Sequence, residues 1–194
     1  MDTQFARRAR TLEFSGEQLG VVIGSLLGDG TLLETTRGWC FRSHHSARQA
    51  AYVLWKYERL RDFVQTPPRE YENRIYFRTV SHSLFSSLRA QFYVGRRKVV
   101  PLDLLANEMT ALALAVWIMD DGSADGHAVR LNTQAFTRTE NQALLGLLRS
   151  RFGLNATLNR DKGAHRLRVS ATDRAKLHHL VGPYILPELA YKLG

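Results

Sequence analysis

The sequence predicts an α+β protein made of one unit repeated twice, each unit reading helix, strands, helix, strands, helix. Three observations carry this. First, an apolar, glycine-spaced helical segment runs into an acid and a glycine at Val22-Ile23-Gly24-Ser25-Leu26-Leu27-Gly28-Asp29-Gly30, and a second apolar segment, without internal glycine, does so at Leu114-Ala115-Val116-Trp117-Ile118-Met119-Asp120-Asp121-Gly122. Second, the landmarks recur at nearly constant spacing. Asp29 and Asp121 are 92 residues apart, the capped helix starts Ser46 and Thr137 are 91 apart, and the closing aromatics Tyr93 and Tyr184 are again 91 apart. Third, stretches of strict period-two alternation lie between helical stripes in both halves.

Composition narrows the partner. The formal net charge is +9 and the pI about 10.1. Of the 27 basic residues 22 are arginine, the better bidentate match to phosphates and guanine edges. Such a chain meets a polyanion. No basic amphipathic helix points to a membrane surface instead, and no apolar run has membrane-span length. Cys40 is the only cysteine, which excludes a disulfide framework and a thiolate metal cluster and fits an intracellular, reducing compartment. Residues 1–14 carry Arg7, Arg8 and Arg10 without an apolar core, and read as a basic arm.

The elements follow in order. Ser15 and Gln18 have capping-box spacing, opening a helix that reaches Leu27 or Gly28. Gly20, Gly24 and Gly28 share one face of it. Residues 38–45 alternate as a strand, with Arg42 and His44 on the outer face. Ser46 and Gln49 predict another capping box, before a helix to Val64 whose stripe is Ala50, Val53, Leu54, Tyr57 and Leu60. Pro67-Pro68 breaks the chain. Residues 74–80 place Ile75 and Phe77 inward and Arg74, Tyr76 and Arg78 outward. A helix at 83–92 closes the first half, 15–94, and 95–109 reads as a linker.

The second half, 110–194, opens at Thr110 with a helix to Asp121. Residues 128–135 alternate, with Arg130, Asn132 and Gln134 outward. Thr137 and Glu140 predict a capped helix to Phe152. A hairpin turns at Asp161-Lys162-Gly163, with Arg166 and Arg168 on its outer face. A last helix spans 173–182.

These residues resemble the LAGLIDADG homing endonucleases over nearly the whole chain after residue 15. Val22–Gly30 and Leu114–Gly122 match the nine-residue motif. Trp117-Ile118-Met119-Asp120-Asp121-Gly122-Ser123, His45-Ser46, Lys98-Val99-Val100-Pro101, Pro183-Tyr184-Ile185 and Tyr191-Lys192-Leu193 match cues of intron-encoded members. The resemblance implies a duplicated αββαββα fold, a pseudo-twofold monomer whose two antiparallel sheets enter the DNA major groove. It implies cleavage of both strands of a long, asymmetric double-stranded target across the minor groove, leaving short 3′ overhangs.

Within that resemblance Asp29 and Asp121 are the catalytic acids. They would hold Mg²⁺, two or three ions in all, with the carbonyls of Gly28 and Asp120 as further donors. Mn²⁺ would substitute, and Ca²⁺ would bind without cleavage. Gln134 stands near the position of a polar residue beside the metal-bound water. The inventory for base and phosphate contact is Arg42, His44, Arg74, Tyr76, Arg78, Arg130, Asn132, Gln134, Lys162, Arg166 and Arg168.

Three departures stand out. Asp120 occupies a usually small packing position, and Val22-Ile23 replaces the leading Leu-Ala. No lysine sits at the strand ends expected to carry one, where Thr79, Val80 and Thr172 stand. Arg78, Lys162 and Arg168 are the stand-ins.

No membrane and no protein partner is expected. The arginine bias points to a bacterial cytoplasm or nucleoid, with an organelle as the other host compartment, and the compact repeat argues against an intein-embedded form. The rival readings are an intron RNA maturase of the same fold, which adds its own intron RNA as a partner, and a non-cleaving DNA-binding regulator.

Overall fold

A computed structural model describes all residues except 1–3 and 10. The chain divides into two compact units, Met1–Ala90 and Gln91–Gly194.

The first unit opens with a short helix α1 (Gln4–Ala9), where the sequence predicted an arm, and Ala9 is buried. Ser15 then makes the expected capping box, its hydroxyl accepting from the Gln18 amide while the Gln18 side chain accepts from the Ser15 amide. Helix α2 (Gly16–Leu27) is buried from Gly20 to its end. Two strands follow, β1 (Thr31–Thr35) and β2 (Gly38–Ser46).

Ser46 does not complete the predicted capping box. Its hydroxyl accepts weakly from the Arg48 amide at 3.4 Å and opens a 3-10 turn, so that α3 (Ala50–Arg59) starts later and ends earlier than expected. The stripe is also rotated. Leu54, expected inside, is 45% exposed, whereas Tyr52 and Lys56 are fully buried. Strands β3 (Arg69–Tyr71) and β4 (Arg74–Arg78) and helix α4 (Ser83–Phe92), which crosses the unit boundary, complete the set. The antiparallel sheet has the order β1-β2-β4-β3. Its inner face buries Phe41, Ile75 and Phe77, and the Phe14 ring packs on Phe63 and Phe85.

The second unit begins with a small hairpin, β5 (Tyr93–Val94) and β6 (Arg97–Lys98), and helix α5 (Leu102–Glu108). The stretch read as a linker therefore has structure of its own. Arg151 holds the end of α5 by donating to the carbonyls of Ala106, Asn107 and Met109 at 3.1, 2.9 and 3.0 Å. Helix α6 (Ala111–Asp121) is buried from Leu112 to Asp120. Strands β7 (Gly122–Asp125) and β8 (Ala128–Leu131), helix α7 (Arg138–Phe152), strands β9 (Ala156–Asp161) and β10 (Ala164–Val169) and helix α8 (Arg174–Val181) follow. The sheet order β7-β8-β10-β9 repeats the first unit's topology, and both units contain the series αββαββα, from α2 to α4 and from α6 to α8.

The predicted strand at 128–135 stops at Leu131. The Asn132 amide turns to the Asp121 carbonyl at 3.1 Å, and Thr133 folds inward. There the buried Asn141 side chain accepts from the Thr133 hydroxyl at 2.5 Å and donates to the carbonyls of Thr133, Phe136 and Thr137 at 3.1–3.2 Å. Replacing Asn141 with Ala strands several buried polar atoms. We expect destabilisation of about 3 kcal/mol, read as a Tm lower by roughly 9 °C in thermal melts. An unchanged melt would show that water satisfies these groups.

Candidate active site

Each motif helix ends on its acid in a different way. In the first unit Gly28 leaves helical geometry, its amide bonding back to the Gly24 and Ser25 carbonyls. Asp29 then lies in the turn before β1, with its side chain 50% exposed. The Gly30 amide donates to the Ser25 carbonyl at 2.7 Å. A Cβ at Gly30 would lie 2.8 Å from that carbonyl and 2.9 Å from the Phe41 ring, so the residue after the acid must be glycine for the turn to close. In the second unit Asp121 is the last helical residue and is half-buried. Gly122 starts β7 directly, where a Cβ would lie 2.5 Å from the Ile118 carbonyl.

A buried basic pair stands behind Asp29. His45, with a side chain only 3% exposed, places Nδ1 3.8 Å from Asp29 Oδ2. Lys56 Nζ lies 3.5 Å from His45 Nε2 and 4.3 Å from the centroid of the Tyr52 ring, a cation–π distance. An ammonium donating to Nε2 leaves the His45 proton on Nδ1, facing the carboxylate. Asp29, His45 and Lys56 thus form a polar line running into the core.

A different arrangement stands behind Asp121. Lys192, buried near the end of the chain, donates from Nζ to the carbonyls of Met119 and Asp120, the latter at 2.8 Å. It places a cation at the negative end of the α6 dipole, one residue from Asp121. Asp120 is 7% exposed, and its backbone carbonyl would share its lone pairs between Lys192 and any bound cation. Neither His45 nor Lys192 is marked as a basic group by local pattern; the signal for both is that they lie in short stretches that carry the family resemblance.

The other predicted residues fall as follows. Gln134 donates from Nε2 to Asp161 Oδ2 at 2.7 Å, and Arg166 lies 3.5 Å from the same oxygen. Lys162, with φ of 46°, stands exposed at the tip of the β9–β10 hairpin. Asn132 is exposed beyond the end of β8. On the first unit's outer face Arg42 pairs in register with Arg78, and His44 with Tyr76. Arg74 is exposed two residues before Tyr76. Burial, then the charges of Arg42 and Arg74, hold the His44 imidazole below its ordinary pKa, so it is neutral at pH 7. Arg42, Arg69, Arg78 and Tyr76 line a cleft of about 360 Å³. None of these three arginines pairs with a carboxylate among the described residues. The second unit's Arg130 and Arg168 instead share Asp125.

The family follows from this constellation and from comparison. Residues 19–177 match the model of the LAGLIDADG DNA endonuclease family, and the chain belongs to that family. It is similar to the probable intron-encoded endonuclease 1 of Wickerhamomyces canadensis, 28% identical over 188 residues that cover 89% of this chain and 81% of that one. It is also similar to the cytochrome b mRNA maturase bI2 of Debaryomyces hansenii, 26% identical, covering 92% of this chain and 74% of that one. Among solved structures, the homing endonuclease I-WcaI bound to its DNA recognition sequence superposes with a TM-score of 0.88 at 26% identity, covering 100% of this chain and 93% of that one. I-DmoI in complex with DNA and Ca shares the fold, with a TM-score of 0.60 at 16% identity, covering 90% of this chain and 96% of that one. No helix among the described residues is long and apolar enough to cross a membrane.

Proposed function

We propose that the chain is a site-specific double-strand DNA endonuclease that reads a long, asymmetric target and hydrolyses one phosphodiester in each strand. The observation that carries this reading is the repetition, in two units of identical topology, of one acid at the junction of a buried helix and an arginine-rich sheet. With both acids in one chain, cutting needs no second protein. The nucleoid, or the DNA of an organelle, is the place of action.

The donor set fits a hard divalent ion such as Mg²⁺ or Mn²⁺. Asp29 offers a half-exposed carboxylate beside the Gly28 carbonyl, and Asp121 a half-buried one beside the Asp120 carbonyl. Such a cation, when bound, activates water and neutralises the departing 3′ oxygen. The chain's own groups do the rest. Asp29 and Asp121 hold oxygen donors at the helix ends. His45 and Lys192 place positive or proton-carrying groups behind them, where charge develops on the scissile phosphate. Arg42, His44, Arg74, Tyr76, Arg78, Arg130, Asn132, Arg166 and Arg168 contact bases and phosphates. Gln134 orients water with Asp161 as its anchor.

Incubation with a randomised duplex library and Mg²⁺, followed by sequencing of the ends, tests this. The expected result is one long asymmetric site cut with short 3′ overhangs. The similarity to a maturase supports a second reading, in which the chain binds its own intron RNA. Tight binding to a group I intron RNA without any duplex cleavage would favour that reading over ours.

A further inference from the structure

We propose that Asp125 is a specificity-determining positioning residue. Its carboxylate holds Arg130 and Arg168 as a fixed pair whose remaining donors read guanine edges in one half of the target. The inference rests on the reading above that the sheet faces bind DNA.

The register places Ser123 opposite Arg130, and Arg130 opposite Arg168, so all three share one face of the sheet. Asp125, two residues along β7 from Ser123, lies on that face too. Its Oδ1 accepts from Arg130 Nη2, and its Oδ2 accepts from Arg168 Nε at 2.6 Å. Two arginines directly opposite one another repel, and the shared carboxylate turns that repulsion into a bridge. The Arg168 hydrogen bond holds the Asp125 carboxyl below its ordinary range; desolvation opposes this, and the Arg130 hydrogen bond adds to it. The bridge is therefore intact at neutral pH.

The bonding pattern matters for what is left over. Arg168 spends Nε and keeps both Nη groups, and Arg130 spends one hydrogen of Nη2 and keeps its other donors. A planar guanidinium fixed along one edge presents the rest of its fork in a set direction, as guanine O6 and N7 require. Fixing the rotamers before binding lowers the ordering cost on binding. Asp161, with Gln134 and Arg166, is a second anchor on the same unit. Among the described residues, the first unit's facing pair is not bridged in this way. Arg42 and Arg78 face each other without a carboxylate among the described residues, and the Arg42 Nε is buried without a hydrogen-bond partner. A carboxylate on a surface that meets a polyanion weakens general attraction to phosphate. Orientation of the two arginines is what it contributes in return.

Base preference of the full chain is measured by selection from a randomised duplex library, for wild type, Asp125→Asn and Arg168→Lys. Affinity for an unrelated duplex is measured in parallel at two salt concentrations. Asp125→Asn is expected to lose discrimination for guanine on the order of tenfold at one or two positions of a single half-site. Other positions keep their preference, and binding to unrelated DNA becomes tighter. Arg168→Lys loses the same discrimination at one of those positions while keeping the Asp125 charge. Uniformly tighter binding by Asp125→Asn with an unchanged preference profile overturns the proposal, leaving Asp125 a surface charge. Unchanged preference in Arg168→Lys overturns it as well. A wild-type protein that selects no duplex at all overturns the DNA-binding reading, and this inference with it.

Discussion

Replacing Asp29 or Asp121 with asparagine is expected to abolish double-strand cleavage while leaving target binding within a fewfold of wild type. Asparagine keeps the shape of the side chain, so neither helix end should rearrange. Asp29 is half exposed in a turn closed by backbone bonds from Gly28 and Gly30, which the substitution does not touch. Asp121 contributes its carbonyl, not its carboxylate, to the bond with the Asn132 amide. What disappears is a negative charge and a strong oxygen donor for a divalent ion. Loss of such a group lowers the rate on the order of 10³-fold, about 4 kcal/mol of barrier. The measurement is single-turnover cleavage of a supercoiled target plasmid with saturating protein, alongside equilibrium binding in Ca²⁺. Full double-strand cutting by either variant would remove that acid from the mechanism. Loss of binding together with cleavage would mean that the acid serves the fold.

Features decided by near neighbours in sequence were legible before the structure. The capping boxes at Ser15 and Thr137 close within three residues, and both form as spaced. Ile75 and Phe77 turn inward because side-chain direction in a strand follows position alone. No local pattern marks the strands β1 and β7, which are short, lack clean alternation and begin at or just after the motif glycine. A helical stripe, by contrast, is fixed by period only to within a rotation. The apolar spacing points Leu54 inward, yet His45 from β2 and the Tyr52 ring draw Lys56 inward instead. Glu140 shows the same limit. Its capping role was readable, but its bonds to Arg97 and to the Val100 amide join distant segments that no local pattern pairs. The acids were legible as a repeated motif. Their basic neighbours were not, because Lys192 reaches the end of α6 across 72 residues of chain.

Substitution of Lys192 by methionine is the second test with a large expected effect. Methionine fills a similar volume and leaves the carbonyls of Met119 and Asp120 without their buried donor. Leaving them unsatisfied costs on the order of 1–3 kcal/mol of stability. Were this the whole role, cleavage well below the melting range would be near normal. We expect more, because the ammonium is also the cation at the α6 terminus that carries Asp121. Removing it takes away positive charge where the phosphate gains negative charge, so cleavage at saturating DNA should fall on the order of 10²-fold even at low temperature. The target dissociation constant should move little, since Lys192 is buried and lies on neither strand face. Lys192→Arg, which keeps the charge but not the ammonium's compact geometry, should restore part of the rate. Raising Mg²⁺ should not rescue Lys192→Met if the charge itself acts on the phosphate, whereas rescue would place Lys192 in the assembly of the metal site. A Lys192→Met protein that cuts both strands at the wild-type rate below its melting onset would leave Lys192 a structural anchor only.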